Sequence, residues 1–280
     1  MRINQSISSL YSYKMINANH QKTEDSLKKL ASGLRITAAS DDAAGLAISQ
    51  EMNARARGLA QANSNTNDGI SMIQTADGAL NETHSILQNM RELAVKAQNP
   101  AYGDNERQSI QAEMNQLTDE ITRISENTQF NTKSLLNGDM SATGRGGEAA
   151  VLQTGADSGA GTEVSIEDMG TEALGLAELD VTTAEGAAKA VETIDGAISA
   201  VSSQRSSLGA TQNRLEHTSS NLGASEEAQL AAESRITDMD MAKELIAYTL
   251  GNIRERAAEA MQAQANVNQK SALQFFLEGK

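Results

Sequence analysis

The stretch ISQEMNARARGLAQANSNTNDGISMIQTADGALNETHSILQNMRELAVKA, residues 48–97, decides the architecture. In steps of seven it gives Met52, Leu59, Thr66, Ile73, Leu80, Leu87 and Ala94, apolar at six of seven positions. Beside them run Ile48, Arg55, Ala62, Gly69, Ala76, Thr83, Met90 and Ala97, apolar at five of eight. Offsets of three and four place both rows on one side of a helix, which makes a seam for partner helices. About fifty residues at ~1.5 Å each form a rod of roughly 75 Å. A rod of that length is expected not to bury its seam against itself, so function should lie in what the seam packs against.

On the N-terminal side, residues 3–34 read as helix, with Ile3, Ile7 and Leu10, then Leu27, Leu30 and Leu34, at helical spacing. Gly33 and the polar run to Asp42 predict a break, and Ser40-Asp41-Asp42 supplies an N-cap for the rod. On the C-terminal side, Asn99-Pro100-Ala101-Tyr102-Gly103-Asp104 ends it, because the residue before proline disfavours helix and Gly and Asp favour a turn. Ile110, Met114, Leu117, Ile121 and Ile124 then define a helix that folds back on the rod.

Residues 137–182 change character. Glycines cluster there, and Ala149–Thr154 and Thr162–Ile166 read as strands joined by a turn at Gly155–Gly159. Thr183 caps a further long helix whose repeat runs Ala187, Val191, Ile194, Ile198, Val201, Leu208, Leu215 and Leu222. The repeat turns polar, then strengthens at Ile236, Ile246, Leu250, Ile253 and Val267. The expectation is a mainly α chain. Its N- and C-terminal arms form a long antiparallel bundle or coiled coil, and a small β-hairpin lies in the middle. The segments are 1–44, 45–136, 137–182, 183–235 and 236–280.

Composition narrows the function. Seven aromatics and no Trp in 280 residues are poor material for an enzyme core, and one proline leaves nearly every position free to be helical. There is no cysteine, hence no disulfide or thiolate metal site. No run of 18 apolar residues exists to insert into a membrane, and the N-terminus carries no Sec-type apolar region with a cleavage site. The net charge is −14, and residues 137–186 hold one basic residue against ten acidic ones, which argues against nucleic acid. His20, His84 and His217 have no metal spacing, no nucleophile elbow occurs, and no carboxylate pair stands out. The sequence points to no catalytic residue, no metal and no cofactor.

Several stretches resemble bacterial flagellin. Leu30-Ala31-Ser32-Gly33-Leu34-Arg35-Ile36 followed by Asp41-Asp42-Ala43-Ala44-Gly45-Leu46-Ala47-Ile48 is similar to the family's N-terminal signature. Asn67-Asp68-Gly69-Ile70-Ser71, Gly78-Ala79-Leu80-Asn81-Glu82 and Met90-Arg91-Glu92-Leu93-Ala94-Val95 continue it. Ala232-Glu233-Ser234-Arg235-Ile236, Asp240-Met241-Ala242-Lys243-Glu244 and Ala263-Gln264-Ala265-Asn266 match near the C-terminus.

The resemblance implies a homopolymeric helical filament outside the cell, the bacterial flagellum. The termini would line an inner tube through Ile3, Ile7, Leu10, Leu27, Leu30, Leu34, Ile246, Leu250, Ile253 and Val267, ordering on assembly. The middle helices and hairpin would form an outer tube. Implied partners are an export chaperone holding the C-terminal segment, the flagellar type III export apparatus, and the filament cap and junction proteins. A host innate flagellin receptor is implied as well. Subunit and receptor contacts would fall on Arg91, Glu92, Leu93 and Glu113. Asn89 replaces the family's receptor-contacting arginine, which predicts weakened recognition, because the guanidinium's bidentate bonding is gone. The large variable outer domain of many flagellins is absent. A hook–filament junction protein is the alternative reading, because its ends are similar.

Overall fold

The computed structural model describes residues 7–141 and 149–278. The predicted Ile3 and the glycines at 144, 146 and 147 lie outside them. Within them the chain runs α1 (Ile7–Ser32), α2 (Ala43–Gln98), α3 (Asp104–Asn127), β1 (Gln129–Phe130), β2 (Lys133–Ser134), β3 (Ala150–Gln153), β4 (Gly161–Val164), α4 (Ala184–Thr237) and α5 (Met241–Glu278). The mainly α architecture with a small central hairpin is as expected. Two compact units form: Arg55–Glu227, and the segments up to Ala54 and from Ala228. The units divide inside α2 and α4, whereas the sequence placed its boundaries at 44/45 and 235/236.

The unit Arg55–Glu227 contains the main core. Ile73, Ala76, Leu80, Leu87, Met90, Ala94 and Ala97 of α2 are fully enclosed. They cluster with Met114 and Ile121 of α3 and with Ala187, Ile194, Val201, Leu208 and Leu215 of α4. The partner helices that the rod's seam calls for come from the same chain. From Ala62 onward α3 and α4 cover it, and only toward its start does it open, with Ile48 exposed. The pairing of α2 with α4 is antiparallel: Ser219 Oγ donates to Asn63 Oδ1 at 2.7 Å, Arg205 Nε to Asp77 Oδ1 at 2.8 Å, and Arg91 Nε to Asp195 Oδ1 at 2.6 Å. Numbers rise along one helix as they fall along the other.

The ends of these helices follow from local chemistry. Thr183 Oγ1 accepts from the Gly186 amide at 3.0 Å, capping α4 as predicted. At the other turn, Arg107 of α3 donates to the last-turn carbonyl of Ala97 at 3.0 Å, tying α3 back to α2.

The predicted hairpin is present, with Ala150 opposite Val164 and Gln153 opposite Gly161. It lies against α2 because Gly69 leaves room. A Cβ there would sit 2.4 Å from Leu152 Cδ1. Asn65 Nδ2 donates to the Gln153 carbonyl at 3.2 Å beside it. A second, smaller hairpin pairs β1 with β2 around Asn131 (φ 48°) and Thr132 (φ 67°). The sequence reading passed over it. Two consecutive positive-φ residues make the two-residue turn that suits twisted strands, and Asn131 is the clue.

Candidate assembly surface

The other unit pairs α1 with α5. Ser9 Oγ donates to Asn266 Oδ1 at 3.3 Å, and His20 Nδ1 lies 3.1 Å from Glu255 Oε1. Thr23 lies against Gly251, where a Cβ would meet its hydroxyl at 2.8 Å. These contacts fix an antiparallel register.

The residues each helix turns toward the other are the least exposed on it. On α1 they are Ser9, Ser12, Ile16, Asn19, Thr23, Ser26, Lys29 and Leu30, with Gly33 just past its end; on α5, Glu244, Tyr248, Gly251, Asn252, Glu255, Ala258, Gln262 and Ala265. Both series step by threes and fours, so this is a coiled-coil seam. Apart from Ile16, Leu30 and Tyr248 it is built from small and polar side chains, which lets the backbones approach closely but removes little apolar area from water.

The apolar residues lie elsewhere. Ile7 is 84% exposed, Ile246 62% and Met261 66%; Leu10, Leu27, Leu34, Leu250, Ile253 and Val267 are exposed too. Of the predicted inner-tube residues described by the structure, only Leu30 falls in the α1–α5 seam. The arms do pair as expected, but through the neighbouring rows. Most of the large apolar residues stay exposed after α1 and α5 have paired. Single exposed leucines are ordinary, but matched exposed rows along two helices mark an interaction surface.

Charge divides the same way. Segments 1–54 and 228–280 hold 12 Lys/Arg against 12 Asp/Glu, while 55–227 holds 11 against 25. The entire net charge of −14 therefore belongs to the unit with the closed core, and the arms are neutral. Neutral helices with outward apolar rows can pack on copies of themselves without Coulomb repulsion.

The segments between the helices explain the signature motif. Gly33 ends α1 at φ +74°, a left-handed turn. Asp42 Oδ1 accepts from the Gly45 amide at 2.9 Å and caps α2. Gly45 lets both side chains close in on the backbone, because a Cβ would sit 2.6 Å from Asp42 Oδ2 and 2.7 Å from Ile36 Cδ1. Asp41 Oδ2 gathers the Thr37 amide, the Thr37 hydroxyl and the Ala38 amide at 3.0–3.2 Å. Those bonds, chiefly that from the Thr37 amide, hold its carboxyl below the usual carboxylate range. Asp42 takes the expected capping role, whereas Asp41 ties back the turn at Thr37 and Ala38.

The N-terminal helical region of bacterial flagellin matches residues 3–141 as a family model, and its C-terminal helical region matches 191–276. Flagellin of Bacillus subtilis is 48% identical over 98% of this chain and 99% of its own length. This chain belongs to the bacterial flagellin family. A flagellin from Halalkalibacterium halodurans is 45% identical, and a flagellar filament 30.7 kDa core protein from Treponema maltophilum 39% identical, each over 98% of this chain and 99% of its own. The crystal structure of Bacillus cereus flagellin aligns over 57% of this chain and 88% of its own, at 27% identity and a TM-score of 0.49.

As a flagellin, the chain holds its predicted contact residues on α2 and α3. Asn89, Glu92 and Glu113 are exposed. Arg91 is bound to Asp195, and Leu93 is half-buried against the core. Leu93 thus supports its own subunit's fold, and Leu93→Asp would disturb that fold before it tested any contact between subunits. Among the described residues, no group of three or more His, Cys, Asp or Glu is placed to hold a metal ion, and no helix is long and apolar enough to cross a membrane.

Proposed function

We propose that this flagellin polymerises through the outward apolar rows of α1 and α5, burying between subunits what a single subunit leaves in water. It is a structural subunit of the bacterial flagellar filament. The observation that carries the mechanism is the inversion on the arms, with a polar seam inside and apolar rows outside. Such a pairing is weak alone, because a long helix is stabilised mainly by the apolar area it buries. Contacts of this kind join one face of a subunit to a different face of the next, so they propagate as a helix instead of closing. The relatives reported above are flagellins and a filament core protein, which favours the filament body over the hook–filament junction.

The finer reading concerns partners. Before assembly the exposed row of α5 needs cover, which suits an export chaperone on the C-terminal segment. Passage through the flagellar type III apparatus would then deliver the chain beneath the filament cap. The hairpin and α3 would belong to the outer tube. An innate flagellin receptor would meet Asn89, Leu93 and Glu113 with reduced affinity, and Asn89→Arg is expected to strengthen that binding in a direct assay; an unchanged affinity would count against it.

Seeded polymerisation tests the whole reading. Purified chain added to fragmented filaments should elongate them in electron micrographs, with a rise in helical circular dichroism. A fully helical monomer that never elongates seeds would return the junction protein to consideration.

A further inference from the structure

α1 and α4 end differently. α1 has a glycine with positive φ just past its last residue. Between Ala224 and Leu250 there is neither Gly nor Pro, yet α4 stops at Thr237 and α5 begins at Met241. Asp240 Oδ1 accepts the Ala242 and Lys243 amides at 3.0 and 3.1 Å, which explains why α5 starts but not why α4 ends.

The last helical bond runs from the Asp238 amide to the Ser234 carbonyl, 2.8 Å. To continue, the amides of 239, 240 and 241 would have to reach the carbonyls of 235, 236 and 237. Each of those bonds is pre-empted by the segment after α1. The Met239 amide donates instead to the Gly33 carbonyl at 3.2 Å. The Ile236 carbonyl is taken by the Arg35 guanidinium, Nη2 at 2.6 Å and Nε at 3.2 Å. The Thr237 carbonyl accepts the Arg35 amide at 2.6 Å. One residue, 201 positions away from Ile236, occupies two of the three acceptors that a continuous helix would use, Ile236 through its guanidinium and Thr237 through its amide.

We infer that Arg35 is a positioning residue that ends α4 from outside the helix, so that the start of α5 is set by the segment following α1. Without its guanidinium the Ile236 carbonyl is released to the Asp240 amide, α4 extends toward α5 past the backbone bonds of Gly33 and Arg35, and the paired registers of the two arms are lost.

The test uses the full chain. In Arg35→Ala, the Cα chemical shifts of Asp238, Met239 and Asp240 move to helical values, and seeded elongation is lost. Met241→Pro then supplies a break by another route. Position 241 is the first residue of α5, where proline's missing amide is harmless, whereas inside a continuous helix its ring clashes with the Thr237 carbonyl. Met241→Pro alone should elongate like the parent, Arg35→Ala/Met241→Pro should regain elongation, and Arg35→Lys should recover it only in part, a point charge replacing a fork. Unchanged shifts in Arg35→Ala, or a double variant no better than Arg35→Ala, would overturn the inference. The shifts need no polymerisation, so a parent chain that fails to elongate seeds would sink the filament reading alone.

Discussion

Two antiparallel helix pairs in this chain use the same seven-residue spacing in opposite ways. Between α2 and α4 the seam is Ile73, Leu80 and Leu87 against Ile194, Val201 and Leu208, all buried, in a unit that carries the full net charge. Between α1 and α5 the seam is mostly small or polar, Ser12, Asn19 and Ser26 against Glu255 and Gln262 with Ile16, Leu30 and Tyr248 among them, and most of the leucines and isoleucines face out from neutral helices. The first pair closes its core within one subunit. The second is complete only when other copies cover it. Heptad spacing shows which residues share a face; it does not show whether that face meets the same chain or the next one.

The largest expected contrast comes from equivalent truncations in the two pairs. Leu80→Ala empties a fully enclosed site and should destabilise the central unit by roughly 2–5 kcal/mol, read by denaturant unfolding of the soluble chain. Leu250→Ala, on an exposed face, should leave that unfolding curve unchanged and instead raise the concentration needed to elongate seeds. Equal effects on unfolding would erase the distinction between the pairs.

Two glycines in the same helix sharpen the picture within the central unit. Gly69→Val should drive the hairpin off α2 and lower the melting temperature, because Leu152 fills the space a side chain would need. Gly78→Ala meets no atom within 4 Å and should stabilise by about 0.5–1 kcal/mol through helix propensity. A Gly78→Ala variant that melts lower than its parent would contradict this.

The smallest effect is at Asp41. Its carboxyl is held low in the folded chain, so its contribution is present above the ordinary carboxylate pKa of about 4 and disappears as pH falls through the lower folded value. The amide resonances of Thr37 and Ala38 should therefore titrate below about pH 4 in the parent and not in Asp41→Asn. A titration surviving in Asp41→Asn would assign it to another group.

The seam of α2, the hairpin and the caps at Asp42 and Thr183 were legible because each depends on neighbours in sequence: periodicity, alternation, or a side chain two or three residues from the amide it satisfies. The break between α4 and α5 was not, because Arg35 imposes it from 201 positions away. The role of the apolar rows on the arms was only half legible. Ile7, Leu10, Ile246 and Leu250 stood out as apolar, but the polar residues between them form the intrachain seam, and periodicity cannot say which of two adjacent rows a partner will choose. The hairpin at Asn131 and Thr132 is too short to leave an alternating pattern.

The most direct test exploits the lack of native cysteine. Single cysteines at Leu10 or Val267 should react quickly with a thiol reagent in the free chain and become protected in filaments grown from seeds, while Val151→Cys, exposed on the hairpin of the other unit, serves as the comparison. Protection at Leu10→Cys and Val267→Cys exceeding that at Val151→Cys is the predicted result. Arm cysteines that label as fast in the filament as in the free chain would contradict assembly through the outward rows of α1 and α5.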